Sequence, residues 1–160
     1  KDTPRNEMVM DMLQQLMTMH YTESVREDEG GAYGVPTQGS VSDYPEEIAE
    51  FIVQLPTAPE KRARMTELAY DGVDEMCADG PKAEDLQKVK EYMHRKHAED
   101  LKKNAYWTSS LVKKTRYNFD EVTGYDAMVD EISAKEIQDF ANKVFQSGNV
   151  IEVGMTSPVK

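Results

Sequence analysis

A chain of 160 residues is one domain or part of one, long enough to bury about two thirds of its unfolded surface. Its net charge of −11 argues against nucleic acid, whose binding requires clustered Lys and Arg to release counterions. No run of about 18 apolar residues reads as a membrane span, and the single cysteine, Cys77, excludes an internal disulfide while fitting any redox compartment. The opening Lys1-Asp2-Thr3-Pro4 is neither a signal peptide nor a start methionine and reads as the start of an excised fragment.

Thr3 is a candidate cap with Pro4 in the first turn of the helix it opens. From Met8 the apolar positions run Met8, Val9, Met12, Leu13, Leu16, Met17, His20, Tyr21 and Val25, at spacings that predict one amphipathic helix of about six turns. Its methionines are read as irregular core. Gly30-Gly31 stops it. Ala32 to Val41 predicts a strand, bent or near an edge because of Pro36 and Gly39. Ser42-Asp43-Tyr44-Pro45 is turn chemistry, and Ile48 to Leu55 predicts a second strand, so the two form an antiparallel hairpin.

Pro59 starts a helix whose expected buried stripe is Met65, Leu68, Ala69, Val73, Met76 and Cys77. Gly80 ends it and Pro81 opens the next, with Leu86, Val89, Met93, His97 and Leu101 on one face. A shorter helix holds Trp107, Leu111 and Val112, and a further one Met128, Val129 and Ile132. Ser133-Ala134-Lys135-Glu136 is a capping box that opens a helix carrying Ile137, Phe140, Ala141, Val144 and Phe145. Ser147-Gly148-Asn149 stops it, and Val150 to Met155 predicts a final strand. The expected class is α+β, a small antiparallel sheet with helices packed on one face. Three strands are few for so many helices. Residues 1–160 are therefore read as the C-terminal portion of a larger domain whose first strands are missing, with an open sheet edge through which the chain is expected to self-associate.

Most candidate chemistry dissolves on inspection. His94 and His97 are three apart on a helix, but His97 falls on the apolar stripe and His94 points away from it, so a shared metal is disfavoured. His20 reads as a boundary histidine, and Cys77 as an inert core thiol. Ser109-Ser110 have no glycine elbow or paired His. Glu27-Asp28-Glu29 lacks a calcium-loop pattern, and no phosphate loop is present. What remains is Arg26-Glu27-Asp28-Glu29-Gly30-Gly31-Ala32-Tyr33, set between a helix and a strand. Across the glycine break, Arg26 can hold a carboxylate or carbonyl and Tyr33 can donate to an oxyanion. The bland alternative is an Arg paired to a neighbouring Glu and a Tyr half-buried in a sheet.

This segment resembles R-E-x-x-G-x-A-Y in the second, non-zinc half of pitrilysin/insulinase-type (inverzincin) zinc metallopeptidases, a family related to mitochondrial processing peptidase. Phe51 to Glu60 is similar to that family's second strand and the helix start after it. Gly80 to Leu86 with Lys90 resembles its G-x-x-x-x-E-L…K junction. Asn104-Ala105-Tyr106-Trp107 with Leu111 resembles its N-x-x-W…L helix, and Ile132 to Ile137 the start of its last helix. The zinc motif H-x-x-E-H is absent. The resemblance implies zinc on another domain or partner subunit, where the metal polarises a water and a Glu takes its proton. It implies that Tyr33 stabilises the oxyanion, that Arg26 holds the peptide substrate, and that this chain alone binds no metal and is inactive. The family's habits point to a bacterial periplasm or cell envelope, with the cytoplasm left open. Gly34 and Pro36 loosen the strand after Tyr33, so an inactive scaffold or interaction domain of the same fold stands as the alternative.

Overall fold

The computed structural model describes residues 1–29 and 34–155, with residues 26–29 described by backbone alone. The chain opens with α1 (Pro4–Glu29), followed by β1 (Thr37–Ser42) and β2 (Ile48–Val53). After a 3-10 turn come α2 (Arg62–Asp79), α3 (Ala83–Asp100), α4 (Asn104–Tyr117), α5 (Tyr125–Glu131) and α6 (Ala134–Phe145). The expected α+β class and the hairpin are what forms.

The long helix α1 is the hub, packed against β1, α2, α3 and α6. Thr3 caps it, its hydroxyl accepting from the Asn6 N–H at 3.1 Å. The apolar stripe predicted from Met8 to Val25 is buried, and Met10 joins it, so one flank after another of the helix meets a neighbour. The unbranched thioethers fill the irregular space between a sheet and three helices.

β1 and β2 pair antiparallel, with Thr37 opposite Val53 and Gly39 opposite Phe51. Those four residues lie on the helix side of the hairpin. A Cβ at Gly39 would lie 2.6 Å from the Met10 sulfur, so the absence of a side chain there lets α1 approach β1. Gln14 fixes the register of that approach, donating to the Thr37 carbonyl and accepting from the Gly39 N–H, both at 3.1 Å. Phe51 meets Phe145 of α6 edge-on at 5.2 Å. The other face, with Ile48 and Ile52, is open to solvent, so helices cover one face only.

The structure departs from the sequence expectations at several places, among them Leu101, expected on the buried face of α3 but 37 % exposed just past its end. On α2 the buried stripe is Met65, Leu68, Gly72 and Met76, with Gly72 in place of Val73. Tyr21 lies over Gly72, where a Cβ would come within 2.6 Å of its ring, and its hydroxyl donates to the Ala69 carbonyl at 2.8 Å. Cys77 is half-buried rather than core. It sits one step round the helix from the stripe, beside α6, whose Gln138 and Asn142 amides donate to its carbonyl. On α4, Trp107, Leu111 and Val112 are 42 %, 58 % and 45 % exposed, because a polar set (Tyr106, Ser110 and Lys113) turns inward instead. Finally, Val150 to Met155 forms no strand: β1 and β2 pair only with each other among the described residues, and this segment lies exposed, held by Arg62 to Glu152 at 2.8 Å. The predicted start of the first strand at Ala32 lies outside the described residues.

The capping box before α6 is half realised. Ser133 accepts from the Glu136 N–H at 3.2 Å, but the Glu136 carboxylate turns to Arg5 of α1, at 2.6 and 2.9 Å. That pair ties the first and last helices and holds the Glu136 carboxyl below its usual range. Among the described residues no helix is long and apolar enough to cross a membrane.

Candidate functional site

Arg26 lies in the last turn of α1, and its side chain, like all of Tyr33, lies outside the described residues. Val25 and Val35 are 6 % and 2 % exposed and belong to the same core cluster. The Arg26–Tyr33 segment thus follows one core residue and precedes another in the chain. An extra Cβ at Gly34 would meet no atom of the described residues within 4 Å.

The remaining sequence candidates resolve into structural roles. His97 is 6 % exposed, stacked on Tyr125 at 3.9 Å between ring centroids, with its Nδ1 3.4 Å from the Tyr106 hydroxyl. His94 instead bridges α3 to α5, with Nδ1 2.9 Å from Asp126 and Nε2 2.9 Å from Asp130. Both ring nitrogens of His94 thus face carboxylates, and no group of three or more His, Cys, Asp or Glu placed to hold a metal ion is found among the described residues. His20 sits at the α1–α2 boundary, 3.8 Å from Glu75. The Cys77 thiol is pushed up by burial and by Asp74, away from reactive thiolate character.

The two aspartates raise the His94 pKa through hydrogen bonds, Asp126 first. A folded pKa above the unfolded value means that the clamp contributes fully below the unfolded pKa of about 6.5 and is lost as pH rises through the folded value. Chemical denaturation at pH 6 and pH 8 is expected to show a loss of stability that a His94→Gln variant lacks. The difference is modest, because the ring is about one third exposed and solvent screens the pair. Equal pH dependence in both proteins would remove His94 as the cause.

A polar cluster that sequence reasoning missed joins α1, α4 and the α4–α5 loop. Lys113 of α4 reaches Glu7 of α1 at 3.1 Å and Glu121 at 2.7 Å, and Ser110 donates to Glu121 at 2.6 Å. Burial, opposed by Lys113, raises the Glu7 carboxyl. Burial and the Glu121 charge raise the Tyr106 phenol, and burial and the Asp11 charge raise Tyr125. Asp11 is also raised, chiefly by desolvation and against the opposing charge of Lys96. The signal for this cluster was the i, i+4, i+7 spacing of Tyr106, Ser110 and Lys113.

The family model for the peptidase M16 inactive domain matches residues 1–93, which include the Arg26–Tyr33 segment, β1, β2 and the Gly80 junction. No curated protein matches the sequence. Among solved structures, the periplasmic protease PqqL from Escherichia coli superposes with a TM-score of 0.71 at 16 % identity, over 91 % of this chain and 16 % of that one. A conserved protein from Enterococcus faecalis V583 gives a TM-score of 0.71 at 12 % identity, over 86 % of this chain and 33 % of that one. This chain therefore spans a third or less of the length of either structure, and at such identities the likeness is one of fold. With the family model covering more than half of the chain, and with the hairpin, the α1 hub and the helix order in place, the chain belongs to the peptidase M16 inactive domain family.

Proposed function

We propose that the chain is the substrate-side half of a zinc-dependent metalloendopeptidase, with Arg26 and Tyr33 facing a peptide held against a zinc-bearing domain or subunit. One observation carries this reading: R-E-x-x-G-x-A-Y falls within the family-matched residues, between the buried Val25 and Val35 in the chain. In this reading the metal belongs to the other domain, as the resemblance implies for a chain without H-x-x-E-H. Here the chain supplies two groups. The Arg26 guanidinium donates to a peptide carbonyl or carboxylate, and the Tyr33 hydroxyl donates to the oxygen on which negative charge develops.

Arg26→Ala in the protein that carries both halves is expected to raise KM for a peptide, losing about 1.5–3 kcal/mol of charge-assisted hydrogen bonding. Because that contact serves substrate and transition state alike, kcat is expected to change little. A KM equal to that of the unsubstituted protein would exclude Arg26 from the substrate site.

The family's description as an inactive domain supports a second reading, in which the chain is a scaffold that docks on a peptidase partner and contributes no reacting group. The two part on Arg26 and Tyr33: a scaffold tolerates both substitutions without kinetic change.

A further inference from the structure

The helix α4 presents its faces in the reverse of the usual order. An amphipathic helix of a globular protein turns its apolar stripe to the core. In α4 the inward set is Tyr106, Ser110 and Lys113, with Ser110 and Lys113 held by Glu121 and Lys113 also by Glu7. Of the fourteen residues of α4 only Ser110 is buried. The outward set is Asn104, Trp107, Thr108, Leu111, Val112 and Thr115, all exposed and all uncharged. These six fall at i, i+3, i+4, i+7, i+8 and i+11, the spacing of a stripe that packs against a neighbour. Leu101, also exposed, lies beside the stripe, its carbonyl accepting from the Trp107 indole at 2.8 Å.

Charge selects what covers this face. Residues 101–117 carry five Lys and Arg and no Asp or Glu, in a chain whose net charge is −11. Lys102, Lys103, Lys114 and Arg116 are exposed around the stripe. Lys114 stands three residues after Leu111 and Arg116 four after Val112, so each flank of the stripe carries a cation. Lys103 and Lys114 each meet one carboxylate from outside the stretch, Asp100 and Asp120, at 2.7 Å. Arg116 lies over the Tyr117 ring, and neither it nor Lys102 has an ion-pair partner among the described residues.

We propose that the outward face of α4 docks an acidic amphipathic helix of a polypeptide partner. Its apolar side chains would cover Trp107, Leu111 and Val112, and its carboxylates would meet Lys114 and Arg116. A second copy of the same face fits less well, because a two-fold contact sets these cations against themselves. An anionic bilayer is drawn to α4 but repelled by the negative remainder of the chain, whereas a single helix meets α4 alone. The face lies at the Glu7 end of α1, which at 1.5 Å per residue is about 28 Å along the axis from Arg26, so it is independent of the role given to that residue.

Trp107 is the chain's single tryptophan and sits within the stripe, so its emission reads the contact. The probes are a tryptophan-free helical peptide with Leu at i, i+3, i+4 and i+7 flanked by Glu, the same peptide with Lys for Glu, a scrambled Glu peptide, and phosphatidylglycerol vesicles. The Glu peptide is expected to move Trp107 emission to shorter wavelength and to saturate, and the two control peptides to bind at least about tenfold more weakly. Added salt is expected to weaken the Glu peptide. Leu111→Ala is expected to weaken it about fivefold or more. Arg116→Glu is expected to weaken the Glu peptide and strengthen the Lys peptide, an exchange that a merely damaged helix does not produce. No saturable shift up to about 1 mM Glu peptide, or equal binding of that peptide and either control, overturns the proposal. Vesicles that move Trp107 where the Glu peptide does not assign the face to lipid, and a shift produced by protein concentration alone assigns it to a second copy; either result overturns the proposal as well.

Discussion

Replacing Tyr33 with Phe is expected to lower kcat for peptide hydrolysis by about 10²–10³, the usual cost of deleting one oxyanion donor at about 2.7–4 kcal/mol. The substitution removes a single oxygen and leaves the ring, so local packing is preserved. KM should move little, because the hydroxyl acts on charge that develops only in the transition state. Paired with Arg26→Ala, this gives a double dissociation: one variant changes KM, the other kcat. Steady-state kinetics on the protein carrying both halves read it directly. Turnover by Tyr33→Phe equal to that of the unsubstituted protein would leave the scaffold reading in possession. The position matters as well as the group. A donor contributes to catalysis only if it is held in place before charge arrives.

Leu13→Ala is expected to destabilise the fold by about 2–5 kcal/mol, a large share of the roughly 5–15 kcal/mol that a domain possesses. Leu13 is 0 % exposed in the middle of α1, which packs on α2, α3, α6 and β1. Helices and a sheet press on α1 from several sides, so the hole left by the deleted methyls cannot close by moving one neighbour. The urea midpoint should fall while its slope is unchanged. Leu111→Ala, at a site 58 % exposed, is the comparison and should shift stability by no more than about 0.5 kcal/mol. Equal midpoints for the two variants would mean that α1 is not the core the structure describes.

These contrasts mark where local pattern suffices and where it fails. The stripe from Met8 to Val25, the Thr3 cap and the 37–53 hairpin were legible because each is decided by residues a few positions apart. α4 was misread because both of its faces carry helical periodicity. Trp107 and Leu111 form one i, i+4 pair, while Tyr106, Ser110 and Lys113 form the rival stripe. Lys113 is drawn inward by Glu7, 106 residues earlier, and no window along the chain displays that partner. Val150 to Met155 has strand composition, but a strand exists only beside another, and pairing is a property of neighbours rather than of composition. The Arg26–Tyr33 segment offered suitable chemistry from its residues, but an Arg and a Tyr seven residues apart also fit a bland structural reading, and the family resemblance favoured the functional one.

The outward turn of α4 has a spectroscopic consequence. Trp107 is the chain's single tryptophan, 42 % exposed, with its indole N–H donating to the Leu101 carbonyl at 2.8 Å. Emission excited at the red edge of the aromatic band therefore comes from this peripheral helix and not from the methionine-rich interior. A fluorescence melt would follow the detachment of α4, while circular dichroism would follow the body. Non-coincident curves would then be a property of where the chromophore sits, and no evidence for a second domain.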